Sequence, residues 1–131
     1  MQKFGHLTLL VKEIQEAADF FIEKLDFIKT ADVTGPNGFR WLTVSPKDQP
    51  DFGLVLIPAD TEEKKNFIGN QAGGHVLLTF HTDNCQRDFD LFQSRGVKFH
   101  GAPKANPWGT EVVFEDLYGN RFDLIQFNWN G

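Results

Sequence analysis

Two of the four histidines open closely similar segments, Gly5-His6-Leu7-Thr8-Leu9 and Gly74-His75-Val76-Leu77-Leu78, at a shift of 69 residues from 6 to 75. Neutral imidazole is a common ligand for Zn, Fe, Ni and Cu, and two histidines with one carboxylate leave open positions on a metal for substrate. Asp123, alternating with Ile125 along an apolar stretch, is the carboxylate that completes such a set. On an inward strand face it would need a metal or a positive partner. The one cysteine, Cys85, excludes both an internal disulfide and a Cys/Cys zinc pair, so any metal must be held by His and carboxylate. Plainer roles stand beside these. A histidine at the start of a strand is often simply hydrogen-bonded, Asp123 on a strand edge would face solvent, His81 and His100 read as surface residues, and Cys85 reads as a small core residue.

A second group of side chains is suited to gripping a ligand. Trp41 and Thr43 lie in one expected strand, and Trp108 and Glu111 beside its counterpart, where they could hold an apolar or aromatic molecule. Core packing accounts for the tryptophans equally well, and a mid-strand outward position accounts for Glu111. Gly73-Gly74 is not a phosphate loop, because no Lys-Ser/Thr follows and the next element is a strand.

These residues must be positioned by short elements. Phe4–Val11 is a β-type run, and Ile14, Ala18, Phe21 and Leu25 then give a helix one apolar face, opposite Gln15, Glu16, Asp19 and Glu23. Strands are expected at 27–30, 40–44 and 52–57, the first two joined by the Gly35-Pro36-Asn37-Gly38 turn. A polar connector follows at 59–72, with one helical turn expected around Phe67-Ile68. The order then repeats: a strand at 74–80, a helix N-capped by Asp83 or Asn84 with Cys85, Phe89 and Phe92 inward and Gly96 at its end, and strands at 97–100, 111–114 and 121–127. The sequence therefore predicts an α+β protein of one domain, 1–131, built from two tandem βαβββ modules at 1–58 and 73–128 joined by linker 59–72. Each module is too small to bury its sheet alone, which predicts association of the two around a ligand cleft, with many of the 14 Phe filling the shared interior.

Composition narrows the function classes. A net charge of −5 and a pI near 5.2 argue against a nucleic-acid partner or an anionic membrane surface. No apolar run approaches the ~18 residues of a membrane span, and the N-terminus lacks a cleavable signal, which predicts a soluble, cytoplasmic protein.

The repeated order, the Gly5-His6-Leu7-Thr8-Leu9 opening, the Ala18-to-Phe27 helix exit, the Glu115-Asp116-Leu117-Tyr118-Gly119-Asn120 turn and the Phe122-Asp123-Leu124-Ile125 strand resemble the vicinal oxygen chelate superfamily. That group includes glyoxalase I, extradiol dioxygenases, fosfomycin-resistance enzymes and bleomycin-resistance proteins. The resemblance implies a curved mixed sheet around a central cleft and a small-molecule ligand. It also implies one divalent metal, Fe, Ni, Mn or Zn, on His6, His75 and Asp123, and a homodimer. Glyoxalase I has a fourth ligand, expected here near Val55, where no carboxylate stands, and the family usually has Glu at the position of Asp123. The resemblance thus implies either a metal-dependent lyase, isomerase or dioxygenase, or a metal-free ligand-sequestering protein of the bleomycin-resistance type.

Overall fold

The computed structural model describes residues 1–128 and divides the chain into two compact units, Met1–Ile68 and Gly69–Gly131. Each unit is a four-stranded mixed sheet with a helix on one face. In the first, β1 (His6–Val11) leads through α1 (Ile14–Asp19) to β2 (Ile28–Thr34), β3 (Arg40–Ser45) and β4 (Gly53–Pro58), followed by the short α2 (Glu62–Lys65). In the second, β5 (Val76–His81) leads through α3 (Cys85–Ser94) to β6 (Lys104–Asn106), β7 (Gly109–Glu115) and β8 (Arg121–Phe127). The strand orders, β1-β4-β3-β2 and β5-β8-β7-β6, are the same arrangement twice. Both modules are βαβββ, as their periodicities predict. Among the described residues, no helix is long and apolar enough to cross a membrane.

Each helix is explained by its caps and its buried face. Glu13 accepts the Glu16 N–H at the start of α1, satisfying one donor that the first turn leaves open. Six residues of α-helix are marginal alone, so α1 depends on burying Ala17 and Ala18. The expected single helix to Leu25 instead passes into a π-helical turn at Phe20–Lys24. The apolar face survives this change, since Phe21 and Leu25 remain buried. The chain then reverses at Asp26, whose φ of 59° is tolerated by a short polar side chain, and the Phe27 N–H bonds back to Phe21. In α3, Asn84 accepts the Arg87 N–H. At its other end Gly96, at φ 89°, sends its N–H to Gln93 while Val97 bonds to Phe92, the paired pattern that closes a helix on a left-handed glycine.

Alternation along each strand sorts the side chains. In the first unit Leu9, Val11, Leu42, Val44, Leu54 and Leu56 are buried on the face that α1 covers. In the second, Phe122 and Leu124 play this part beneath α3, and Phe80, Phe92, Phe99, Phe114 and Phe122 stack or tilt against one another at centroid distances of 5.5–6.3 Å. Five of the 14 phenylalanines thus pack against one another within this unit.

One strand expectation needs correction. Residues 97–100 form only an isolated bridge, Phe99 to Phe114, and the named strand β6 lies later, at Lys104–Asn106. Gly101, at φ 93°, and Pro103, which has no N–H to donate, interrupt the ladder between these two pairings with β7. The helical turn expected near Phe67 lies slightly earlier, as α2, where Thr61 accepts the Lys64 N–H.

Candidate functional site

The sheet face away from α3 is set by the β7–β8 register. Val113 stands opposite Asp123, Glu111 opposite Ile125 and Glu115 opposite Arg121, while Thr79 of β5 lies beside Asp123 on its other flank. Strand alternation thus puts Arg121, Asp123, Ile125 and Phe127 on one face with Glu111 and Glu115. Glu111 is half-buried on this face, not outward-pointing.

Glu111 and Asp123 form a carboxyl pair. Burial, reinforced by the hydrogen bond and charge of Glu111, pushes the Asp123 carboxyl up to about 7. Two carboxylates cannot both ionise cheaply at hydrogen-bond range, and Asp123 is the member whose proton is held more tightly. Glu111 is fixed from the other side, accepting Asn106 Nδ2 at 2.8 Å and Trp108 Nε1 at 3.2 Å. Asp123 Oδ1 is buried and accepts no hydrogen bond from the described residues. A buried acceptor in that condition costs free energy until a donor reaches it. Trp108 itself is 46% exposed beside the pair, and His81 packs edge-on to Phe127 at 4.8 Å further along the face.

Asn106 escapes a reading based on titratable or aromatic residues. Its Oδ1 accepts both the Trp108 and Gly109 N–H groups, so it shapes the turn that presents Trp108 while its amide nitrogen holds Glu111. The Asn-Pro-Trp-Gly run is a turn signal of this kind, in which Asn bonds the backbone two residues on. Gly109 is fixed by close approach: a Cβ there would stand 2.1 Å from the Gln126 carbonyl oxygen.

In the first unit His6 is exposed and meets Trp41 edge to face, with ring centroids 5.6 Å apart. Thr43 is buried, its hydroxyl 2.7 Å from that of Thr30, which also approaches Ser45. The register identifies the counterpart of Asp123 here. Thr79 pairs with Asp123 as Leu10 pairs with Ile57, because β5 is irregular between Val76 and Leu78, so the matching position is Ile57 and not Val55. Both are apolar.

The remaining residues are placed as follows. His75 is exposed, one residue ahead of β5, beside Gly74 and Arg121. His100 bonds Glu115 at 2.6 Å. Cys85 is fully buried, its thiol pushed up to about 11 by burial and donating to the Leu124 carbonyl, which leaves it unreactive.

Whether these residues fit a divalent metal turns on what Asp123 meets. It meets a second carboxyl group, and within either unit, among the described residues, no group of three His, Cys, Asp or Glu gathers as a metal requires. Within the second unit Asp123 is thus paired with Glu111, while His6 belongs to the first unit.

Residues 3–124 match the model of the Glyoxalase/Bleomycin resistance protein/Dioxygenase superfamily. An uncharacterized protein of Shewanella frigidimarina is 42% identical, covering 97% of this chain and 95% of its own. Among solved structures, UcmS2 is 33% identical with a TM-score of 0.85, covering 95% of this chain and 98% of its own. TnmS3, described as an antibiotic binding protein from Streptomyces sp. CB03234, is 30% identical with a TM-score of 0.75 and 98% of both chains covered. With a family model spanning nearly its whole length and a twice-built βαβββ module, the chain belongs to the Glyoxalase/Bleomycin resistance protein/Dioxygenase superfamily.

Proposed function

We propose that this protein is a metal-independent receptor for a flat aromatic small molecule carrying an N–H or O–H donor. The observation that carries this reading is the buried, unpartnered Oδ1 of Asp123 beside the exposed ring of Trp108. In the protonated pair Asp123 shares its hydrogen with Glu111, and its free oxygen accepts from the ligand. A cationic donor would in addition favour ionisation of the pair. Trp108, held by Glu111 through its indole N–H, offers a plate on which an aromatic ring stacks. The antibiotic binding described for TnmS3, at 30% identity over nearly the full chain, supports the same class of activity. The proton held by Asp123 supports this reading over the metal-dependent one, since a carboxyl group must lose its proton to bind a metal.

Titration with 9-aminoacridine, a flat aromatic cation, followed by tryptophan fluorescence, tests the proposal. Saturable quenching is expected in the wild type, with marked loss in Trp108→Phe and Asp123→Ala. A parallel arm loads untagged protein with Fe(II), Ni(II), Mn(II) or Zn(II) and measures retained metal. Stoichiometric metal that is lost in Asp123→Ala, with no quenching by the acridine, would overturn the receptor reading in favour of a metal centre on His6, His75 and Asp123.

A further inference from the structure

The second unit carries a hollow of about 140 Å³ where β5 and β8 begin, at the opposite end of β8 from the Trp108 turn. Its lining includes Asn70, Gly74, His75, Asn120 and Arg121. Clefts for drug-sized ligands run to ~300–1,000 Å³, so this one admits a small group and not a whole ligand.

The charge of that group follows from Arg121. In a chain of net charge −5, Arg40 is paired with Asp32, and Arg87 with Asp83 and Asp88. Among the described residues Arg121 has only a long hydrogen bond from Nη1 to the Gly74 carbonyl, 3.4 Å, at the wall of the hollow. The carboxylate opposite it in the ladder, Glu115, is turned to His100 at 2.6 Å and Lys98 at 3.3 Å. Asp123, two residues along the same face, is turned to Glu111. Two acids are thus within a residue or two of Arg121, and both are engaged elsewhere.

The rest of the lining adds donors and no acid. His75 offers an N–H in either neutral tautomer, and Asn70 an amide. Gly74, also on the lining, takes a φ of 90°, and a Cβ added there would meet nothing within 4 Å, so no side chain covers its backbone. Asn120 is spent on Asp116 and on the Gln71 N–H and serves as wall. Guanidinium presents a planar fork that matches an oxyanion, and such charge-assisted bonds are stronger than neutral ones.

We propose that this hollow is an oxyanion subsite, taking the phosphate or carboxylate group of a small molecule on Arg121, with His75 and Asn70 as supporting donors. It stands apart from the Trp108 end of the sheet and does not depend on what binds there.

Titration of ¹⁵N-labelled protein with inorganic phosphate and, separately, with acetate, each against chloride at equal ionic strength, reads the site by NMR. Saturating shifts are expected at the Gly74 and His75 amides and at Arg121 Nε. Response to phosphate alone assigns a phosphate group, and response to acetate as well assigns carboxylates too. Arg121→Gln should weaken binding by about tenfold or more, the scale of a lost charge-assisted contact. Arg121→Lys, which keeps the charge but not the fork, should fall between, and Lys104→Gln, on β6, should leave it unchanged. Dispersed spectra of both arginine variants establish that they fold. Shifts no larger than those with chloride, or affinity unchanged in Arg121→Gln, would overturn the proposal.

Discussion

On the first unit's sheet, the face away from α1 carries the hydroxyls of Thr30, Thr43 and Ser45 with apolar Val55 and Ile57. On the second unit's sheet, the equivalent face carries Glu111, Asp123, Glu115 and Arg121. The strand order is the same in both sheets, so the chemical difference between the faces resides in their side chains. Past the irregularity in β5, Ile57 corresponds to Asp123, and two residues back on the same face of each strand Val55 corresponds to Arg121, so two apolar residues in one half stand where the other has an acid and a base. Duplication preserved the scaffold because the helix-side core of each sheet constrains every second residue. The alternate residues differ between the halves, and the acid and base at these matched positions stand on the second unit.

The sharpest way to break this comparison is to remove what positions β8. Asp116, buried at the turn before that strand, accepts from the N–H groups of Tyr118 and Asn120 and from Asn120 Nδ2, at 2.9–3.0 Å. Asp116→Ala strands these donors and should cost about 3 kcal/mol, offset in part because burial already raises the Asp116 carboxyl's affinity for its proton. Urea denaturation gives the loss, and hydrogen exchange should show greater deprotection in β8 than in β4. Equal deprotection of both strands would mean that the two units do not differ in the way their functional faces are supported.

A smaller effect tests the acid pair itself. Asp123 keeps its proton up to about pH 7 in the folded protein, whereas an unfolded Asp loses it near pH 4. The folded state therefore binds more protons between these values, and stability declines as pH rises through that window. The decline should amount to about 2 kcal/mol, less than the full shift implies because the group is only partly buried. Asp123→Asn, isosteric and neutral, should flatten the profile and be the more stable protein at mildly alkaline pH. Urea midpoints measured from about pH 5 to pH 8 decide it, and parallel profiles for the two proteins would refute the proton-sharing pair.

How much of this was legible in the residues depends on which interactions are local. The helix ends at Asn84 and Gly96, the turn at Gly35–Gly38 and the module repeat follow from short-range chemistry that adjacent residues reveal. The break in the strand near Phe99 was not legible, because Lys98 and His100 do bond β7 through their backbones and only Gly101 and Pro103 interrupt what composition alone would continue. For the candidate site, Asp123, Glu111 and Trp108 stood out by type. Their association depends on the β7–β8 register, which pairs residues a dozen positions apart and is fixed by packing. Asn106 and Arg121 were missed for the same reason, since their significance lies in partners that sequence spacing does not supply.

The smallest expected effect completes the contrast with an acid of opposite sign. Asp32, on the first unit's edge strand β2, accepts Arg40 Nε at 2.9 Å, Arg40 Nη2 at 3.0 Å and Lys29 Nζ at 3.1 Å. These hydrogen bonds, Arg40 first, hold its carboxyl well below the usual carboxylate range. Its stabilising contribution is therefore present above about pH 4 and lost as pH falls through the acid range, the reverse of Asp123. Because the cluster is solvent-exposed, water and salt screen it, and Asp32→Asn should leave the neutral urea midpoint within error. A difference should emerge only at low ionic strength, and should vanish on acidification as the wild-type carboxylate itself becomes neutral. A large loss at neutral pH that persists in high salt would show that Asp32 orders the β2–β3 hairpin through geometry. Charge that matters to stability would then no longer be confined to the second unit.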